Sequence, residues 1–293
     1  MPITVFTPTY NRTALLPRLF DSLCRQSFSD FEWIIVDDGS TDNTEEIVRE
    51  SMLSDCSFPI RYIKKENGGK HTAVNCGVKE AQGDLFFIAD SDDMLPPHAL
   101  EIVAEMWNSI CEDENFGGVC GLDGTLDGKL IGSGLPSEVV DGSSIDVRFR
   151  MRVTGDMKEV FKTDVLKEFP FPEIVGERFC PEVLVWNRIA TKYKLRYFNQ
   201  IIYLAEYQEG GISAGITRAR MKSPIASMMT YAEMVSYNIP MKSKIKAAIN
   251  FYRFSCCLKR PLPVIHLPRI AWCWSWLKPM GWLMHLRDKR MVS

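Results

Sequence analysis

The first ninety residues alternate short β-branched runs with segments whose apolar side chains recur at helical spacing, and each run stops at a turn rich in Asp, Thr or Ser. Such alternation predicts a parallel sheet covered by helices, because parallel neighbours need a long crossover and a helix supplies it. Strands are expected over residues 3–6, 33–36, 60–63 and 85–89. Helices are expected over 13–26, where Leu16, Leu19, Phe20 and Leu23 share a face, from a cap at Thr41 or Asp42 to just before Pro59, and over 69–81. Ligands of open sheets of this kind bind beyond the carboxyl ends of the strands. Chemistry is therefore expected at residues 7–10, 37–40 and 90–93, which put acids and hydroxyls on one rim.

Beyond Asp93 the pattern is more mixed. A helix carrying Leu100, Val103, Trp107 and Ile110 leads into a Gly-rich stretch over 117–142, a helix near 182–192 and strands around 195–207. No Pro/Ser/Gly spacer separates these from the first part, so 1–95 and 96–217 are expected to be halves of one domain sharing one sheet. Residues 218–293 read as helices, broken near Pro240 and at Pro261, Pro263 and Pro268. Nine cysteines without Cys-X-X-Cys spacing are expected to be reduced core thiols rather than disulfides or a zinc site. The first residues lack a basic stretch followed by an apolar core, which predicts a cytoplasmic protein.

Net charge is only −2, which argues against a global grip on nucleic acid, yet it is unevenly spread. Residues 240–293 hold eleven Lys or Arg against the single acid Asp288, and four of the seven tryptophans: Trp272, Trp274, Trp276 and Trp282. Basic residues interleaved with tryptophan suit an anionic lipid headgroup layer. The most apolar stretch, 270–286, is 17 residues long and interrupted by Lys278 and Pro279, short of the roughly 20 apolar residues a spanning helix needs. The region is expected to lie on the inner face of the cytoplasmic membrane; the alternatives are packing on the rest of the chain or a protein partner.

The segment from Asp84 to Asp93 is the most informative. An apolar run delivers Asp90 and Asp92 into one turn, and two carboxylates with a diphosphate make a suitable shell for Mg²⁺ or Mn²⁺. The competing reading is that Asp92 or Asp93 caps the helix starting near Pro97. A calcium loop fails, because Met94 and Leu95 stand where a ligand and a glycine are needed. Asp37 and Asp38 either form an Asp-Gly turn or accept hydrogen bonds from a base or ribose. In Asn67-Gly68-Gly69-Lys70-His71, the helix-opening N–H groups and Lys70 suit phosphate, while His71 is expected at the surface. Glu177 and Glu182 flank a helix start and are either solvated helix-terminal acids or a general base.

Thr7-Pro8-Thr9-Tyr10-Asn11-Arg12, Ile34-Ile35-Val36-Asp37-Asp38-Gly39-Ser40-Thr41-Asp42, Asn67-Gly68-Gly69 with 73–75, and Ala81-Gln82-Gly83-Asp84 leading to Asp90-Ser91-Asp92-Asp93 together resemble the family 2 glycosyltransferases of GT-A fold, over residues 1–215. The resemblance implies a Rossmann-like, mainly parallel mixed sheet flanked by helices, with a basic helical tail, and an inverting transfer of one sugar from a nucleoside diphosphate donor, UDP being the expected nucleotide. It implies that Pro8 and Tyr10 line the base pocket with Thr9, that Asp38 accepts from the base, that Lys70 lies near the diphosphate, that Asp90 approaches the ribose beside Ser91, and that Asp92 binds the metal. The base it implies is Glu182, with Glu177 in reserve: Pro181-Glu182 stands where the family carries an acidic pair, and Trp186 and Arg188 follow. No Gln-X-X-Arg-Trp is present, so a processive synthase is not expected. Similar compact enzymes with basic tails build bacterial surface polysaccharides on lipid-linked acceptors. Two rivals remain: a non-catalytic sugar-nucleotide-binding protein, and a metal-dependent phosphotransfer protein, whose Asp-X-Asp pattern wants Thr or Val where Met94 stands.

Overall fold

Every residue of β1 (Ile3–Thr9) is buried, as expected of a strand covered on both faces. The computed structural model describes residues 2–52, 57–206, 215–258 and 267–292. By packing, the chain divides into two units, Met1–Pro170 with Asn187–Gln208 and Phe171–Trp186 with Glu209–Ser293.

In the first unit β1 is followed by α1 (Leu16–Cys24), β2 (Phe31–Asp37), α2 (Thr44–Ile47), β3 (Ile60–Lys64), α3 (Lys70–Glu80), β4 (Leu85–Ile88), α4 (Ala99–Asn108), β5 (Phe116–Thr125), β6 (Val139–Gly142), β7 (Met157–Lys162) and α5 (Thr163–Glu168). Helix α6 (Glu182–Ile189) begins in the second unit and ends in the first, which β8 (Lys194–Ala205) completes. One eight-stranded sheet results, in the order β3-β2-β1-β4-β7-β5-β8-β6. The first four strands of that order are mutually parallel, β7 runs antiparallel between β4 and β5, and β5 and β8 are parallel again. The expected mixed, mainly parallel sheet flanked by helices is thus present, and it continues past Asp93 without a break. Trp33, Leu19, Leu100, Val103 and Phe87 lie in its main core.

The Gly-rich stretch, given no element from the sequence, begins as a strand: residues 116–125 form β5, nearly all of it buried. Glycine is required there because the neighbours come too close for a side chain. A Cβ on Gly118, whose φ is +152°, would fall 2.1 Å from the Val160 carbonyl oxygen, and one on Gly121 would fall 2.5 Å from Ile202. The cysteines are not core residues as a class. The eight described are free thiols, but only Cys120 and Cys180 are buried and Cys24, Cys256 and Cys273 are exposed. His71 is buried rather than on the surface, because the first turn of α3 packs against the sheet instead of facing solvent.

The second unit contains α7 (Ile216–Lys222), α8 (Pro224–Ser236), α9 (Met241–Ser255) and α10 (Lys278–Val292), the last preceded by a 3₁₀ segment, Trp272–Leu277. The chain breaks between α7 and α8, where Pro224 occupies the first helical position it tolerates. A further break precedes α9, where Pro240 is the cap residue; Pro261 and Pro263 lie outside the described residues. Tyr231 of α8 stacks on Phe254 of α9 at 5.8 Å. Leu277 at the end of the 3₁₀ segment and Gly281, His285 and Asp288 of α10 recur at helical spacing on one buried side, where Arg253 of α9 forks onto Asp288 at 2.5 and 2.7 Å. Trp272, Trp276 and Trp282 are instead 86%, 63% and 54% exposed, with Leu283 beside them.

Gly118→Ala tests the close approach inside the sheet. Over-packing against a strand carbonyl should cost about 2–3 kcal/mol in denaturant unfolding, whereas Gly128→Ala, with nothing within 4 Å of the added Cβ, should lose only what its left-handed backbone demands, about 1 kcal/mol.

Candidate active site

The turn after β4 is pinned to β8. The Asp90 N–H donates to the Tyr203 hydroxyl at 2.7 Å, the Asp93 N–H to the Asp90 carbonyl at 3.1 Å, and the Glu206 N–H to Asp93 Oδ1 at 2.9 Å. Met94 then bridges Leu204 in antiparallel fashion. Neither Asp92 nor Asp93 caps the next helix, since α4 starts at Ala99 after His98. The acids of the turn have separate surroundings. Asp90 takes the Lys70 ammonium at 2.6 Å, and Asp92 has the Arg12 guanidinium at 3.8 Å. Asp93 binds the protein itself, through Glu206 and the Tyr203 hydroxyl.

Burial pushes the Asp90 carboxyl upward, but Lys70, Lys158 and Arg12 outweigh it and hold it below the usual carboxylate range. Burial and then the charge of Asp90 push Asp92 up. The same two causes push Asp93 up to about 6.

The loops after β1 and β2 are laced together. Asn11 adopts the left-handed region, φ 53°, so that its N–H reaches Ser40 Oγ at 2.8 Å while its side-chain oxygen accepts the Thr41 N–H at 2.8 Å. Thr13 donates to Asp42 at 2.6 Å. Asp37, fully buried, accepts the Ser40 N–H at 2.7 Å and the Tyr62 hydroxyl. Asp38, only 4% exposed, accepts Lys65 Nζ at 2.7 Å and the Gly68 and Gly69 N–H groups at 2.9 and 2.7 Å. Its carboxylate thereby fixes the glycine loop that opens α3, and Lys70, the first residue of that helix, meets Asp90. Pro8 and Thr9 are buried at the end of β1, Tyr10 is exposed, and Ser91 is buried in the turn. The Thr9 Oγ1 has no hydrogen-bond partner among the described residues.

No group of three His, Cys, Asp or Glu able to hold a metal occurs among the described residues. The donors on offer are the hard oxygens of Asp92 and Asp90, and burial beside a like charge already strains the ionised form of Asp92. A divalent cation sharing its shell with a diphosphate needs just one or two protein carboxylates, so this donor set fits Mg²⁺ or Mn²⁺.

The two candidate bases belong to the second unit. Glu182 is half-buried in the first turn of α6. Glu177 is buried and accepts the Ile225 and Ala226 N–H groups at 2.7 and 2.9 Å. Both its oxygens therefore serve the start of α8, and burial raises its pKa.

Sequence reasoning missed Tyr203, Lys158 and Asp123. The Lys158 ammonium sits 3.4 Å from the centre of the Tyr203 ring and donates to the Ile88 carbonyl at 3.1 Å. Asp123 lies inside the buried part of β5, near its carboxyl end, so the rule that marked acids where a strand gives way to a turn did not reach it. A cavity of about 340 Å³ lined by Ile110, Phe116, Asp141 and Arg196 shares no residue with the acidic turn.

The family model "Glycosyl transferase family 2" matches residues 4–120. The glycosyltransferase GlyG of Streptococcus pneumoniae is 27% identical over 227 residues, 72% of either chain. The GalNAc(5)-diNAcBac-PP-undecaprenol β-1,3-glucosyltransferase of Campylobacter jejuni is 29% identical over 205 residues, 67% of this chain and 61% of that one. An uncharacterised glycosyltransferase of Nostoc is 34% identical over 109 residues, and the match spans 37% of this chain and 34% of the relative. Among solved structures, Staphylococcus aureus TarS 1–349 with UDP-GlcNAc superimposes with a TM-score of 0.63 at 20% identity, over 88% of this chain and 72% of that one. A mannosyltransferase of Pyrobaculum calidifontis with GDP-Man and Mn²⁺ gives 0.58 at 18% identity, over 98% and 87%. The fold is GT-A.

Asp93 makes the electrostatic reading testable. Its folded pKa, about 6, lies above the unfolded value of about 3.9, so its contribution is fully present below pH 4 and lost as pH rises through 6. Asp93→Asn keeps an oxygen for the Glu206 N–H. Its melting temperature relative to the parent should therefore climb between pH 4 and 7 and stay level above.

Proposed function

Because residues 4–120 match the family 2 glycosyl transferase model, we propose that the chain moves one sugar from a UDP-sugar to a hydroxyl of a glycan or lipid-linked acceptor, with a place in bacterial surface polysaccharide synthesis. The observation that carries this reading is the pairing of Lys70 with Asp90 beside Asp92 on the carboxyl rim of the sheet. The UDP-GlcNAc bound by TarS and the undecaprenol-linked substrate named for the Campylobacter relative support the choice of donor and acceptor.

In this reading Tyr10, Pro8 and Thr9 border the base, Asp38 fixes the Gly68–Gly69 backbone beside it, and Asp90 with Ser91 faces the ribose. Asp92, aided by Asp90, holds Mn²⁺ or Mg²⁺, which when bound supplies positive charge to the diphosphate. Lys70 and Arg12 stand where the leaving diphosphate gathers negative charge. The acceptor oxygen forms its bond to the anomeric carbon while the carbon–oxygen bond to the diphosphate breaks and its electron pair leaves with UDP. Glu182 takes the hydroxyl proton as the attack proceeds. A single displacement inverts the anomeric centre. Glu177, holding the start of α8, serves as a structural cap in this scheme.

No helix among the described residues is long and apolar enough to cross a membrane. We assign the exposed Trp272, Trp276, Trp282 and Leu283, with the cations of 240–293, to contact with an anionic membrane surface, where a lipid-linked acceptor would be met.

Glu182→Gln should lower kcat by about 10²–10⁴-fold with donor affinity unchanged, while Asp92→Ala should weaken Mn²⁺ and UDP-sugar binding together; isothermal titration and turnover assays separate the two, and equal donor binding in Asp92→Ala contradicts the metal role. The triple change Trp276→Ser, Trp282→Ser, Leu283→Ser should reduce co-sedimentation of the full chain with vesicles containing anionic lipid and leave donor binding intact.

A further inference from the structure

Asp123 is 4% exposed and its Oδ1 has no hydrogen-bond partner among the described residues. Leaving a buried carboxylate oxygen unpaired costs stability, so such an atom in a well-packed strand calls for an explanation. The strand register says where it sits. Asp123 is opposite Tyr203 on β8, and Gly121, two residues earlier on the same face, is opposite Lys158 on β7. The β5–β8 pairing is irregular between Leu122 and Asp123, and it is Lys158, lying on the Tyr203 ring and acting on Asp123, that gathers the three at the carboxyl ends of β5 and β8. Tyr203 takes the Asp90 N–H on its hydroxyl and carries the Lys158 ammonium on its ring. Lys158, Asp156, Asp93 and Arg148 are the charged groups that bear on Asp123, and among the described residues it has no ion pair of the kind Lys70 makes with Asp90.

We propose that Asp123 is a specificity-determining residue that accepts a hydrogen bond from a ring hydroxyl of the donor sugar. This rests on the transferase reading above and deepens it. The geometry favours the sugar over the nucleotide. The base and ribose side of the rim is formed by β1, β2 and the Gly68–Gly69 loop, whereas Asp123 lies across β4 and β7 from them, on the far side of the Asp90–Asp93 turn. A diphosphate at that turn directs the group attached to it toward Asp123. The chemistry fits as well, because an ionised carboxylate is an acceptor with no donor of its own, and a sugar hydroxyl supplies the donor that the fold withholds. Hydrogen-bonding sites of this kind discriminate strongly, since a ligand lacking the hydroxyl leaves the buried group unpaired.

The test uses the full chain and titrations in Mn²⁺ with UDP-glucose, UDP-galactose, UDP-GlcNAc and GDP-mannose, each against its bare nucleoside diphosphate. Asp123→Asn and Asp123→Ser should bind the diphosphate preferred by the parent within twofold of the parent affinity. Both should lose about tenfold or more for the matching nucleotide sugar, and their melting temperatures should equal or exceed that of the parent, because an unpaired buried charge has gone. Equal losses for diphosphate and nucleotide sugar, or two variants that no longer fold, would identify a structural counter-charge and overturn the assignment. Unchanged nucleotide-sugar affinity would overturn it while leaving the transferase reading standing. A parent protein that binds none of the four nucleotide sugars removes the transferase reading and the subsite with it.

Discussion

The hydrogen bond from the Asp90 amide to the Tyr203 hydroxyl joins the two halves of the sheet at the point where the chemistry is expected. β4 belongs to the regular parallel part and β8 to the irregular part, and they are separated in the sheet by β7 and β5. A strand-end turn anchored at one side alone would be free to swing. Here Tyr203, Leu204 and Glu206 all grip it, so the carboxylates of Asp90 and Asp92 leave the sheet from a fixed backbone. Tyr203 is itself fully enclosed, and the ammonium of Lys158 on its ring adds positive charge beneath the turn.

That arrangement settles how several negative charges coexist in a desolvated corner. Asp90 is kept ionised by Lys70, Lys158 and Arg12, whereas Asp92 and Asp93 are left short of positive charge. The shortage differs with the surroundings of each acid. Asp93 is compensated by backbone and hydroxyl donors and acts as a clamp; Asp92 has only a guanidinium at 3.8 Å, a separation that leaves its oxygens open to a stronger cation. The Lys70 contribution depends in turn on Asp38, because the glycine loop held by that carboxylate sets where α3 begins. Two carboxylates at the ends of β2 and β4, the strands on either side of β1, are therefore linked through the glycine loop and Lys70.

The βα alternation of the first ninety residues was legible, since β1, β2 and β4 are buried throughout and each turn carries its own chemistry. The strands β1 to β4 agree to within a few residues, whereas the helix expected from Thr41 or Asp42 to just before Pro59 is α-helical only over Thr44–Ile47 and π-helical over Val48–Met52. Legibility fell where tertiary contact overrides local preference. Gly118 and Gly121 lay in a stretch given no element, because glycine is a poor strand former, yet the close approach of β7 and β8 is what demands them. The same oversight hid Asp123. Asp38 was visible as a strand-end acid, but not its role as an anchor for a loop thirty residues away, because a satisfied carboxylate and a waiting one look identical in sequence. Glu177 shows the converse: it is a helix-terminal acid as its position suggests, but the helix is α8, 48 residues on.

Unpaired polar atoms carry the last step. Thr9 Oγ1 at the end of β1 and Asp123 Oδ1 near the end of β5 are both buried and both without a hydrogen-bond partner among the described residues. Each belongs to a strand of the same sheet, close to its carboxyl end, with the pinned turn of β4 between the two in strand order. A satisfied Asp37 and Asp38 stand beside Thr9, so the fold is able to supply donors and acceptors at this rim. Each unpaired group costs about 1–3 kcal/mol, and in the reading proposed above the two along this rim are the ones that a polar donor would satisfy.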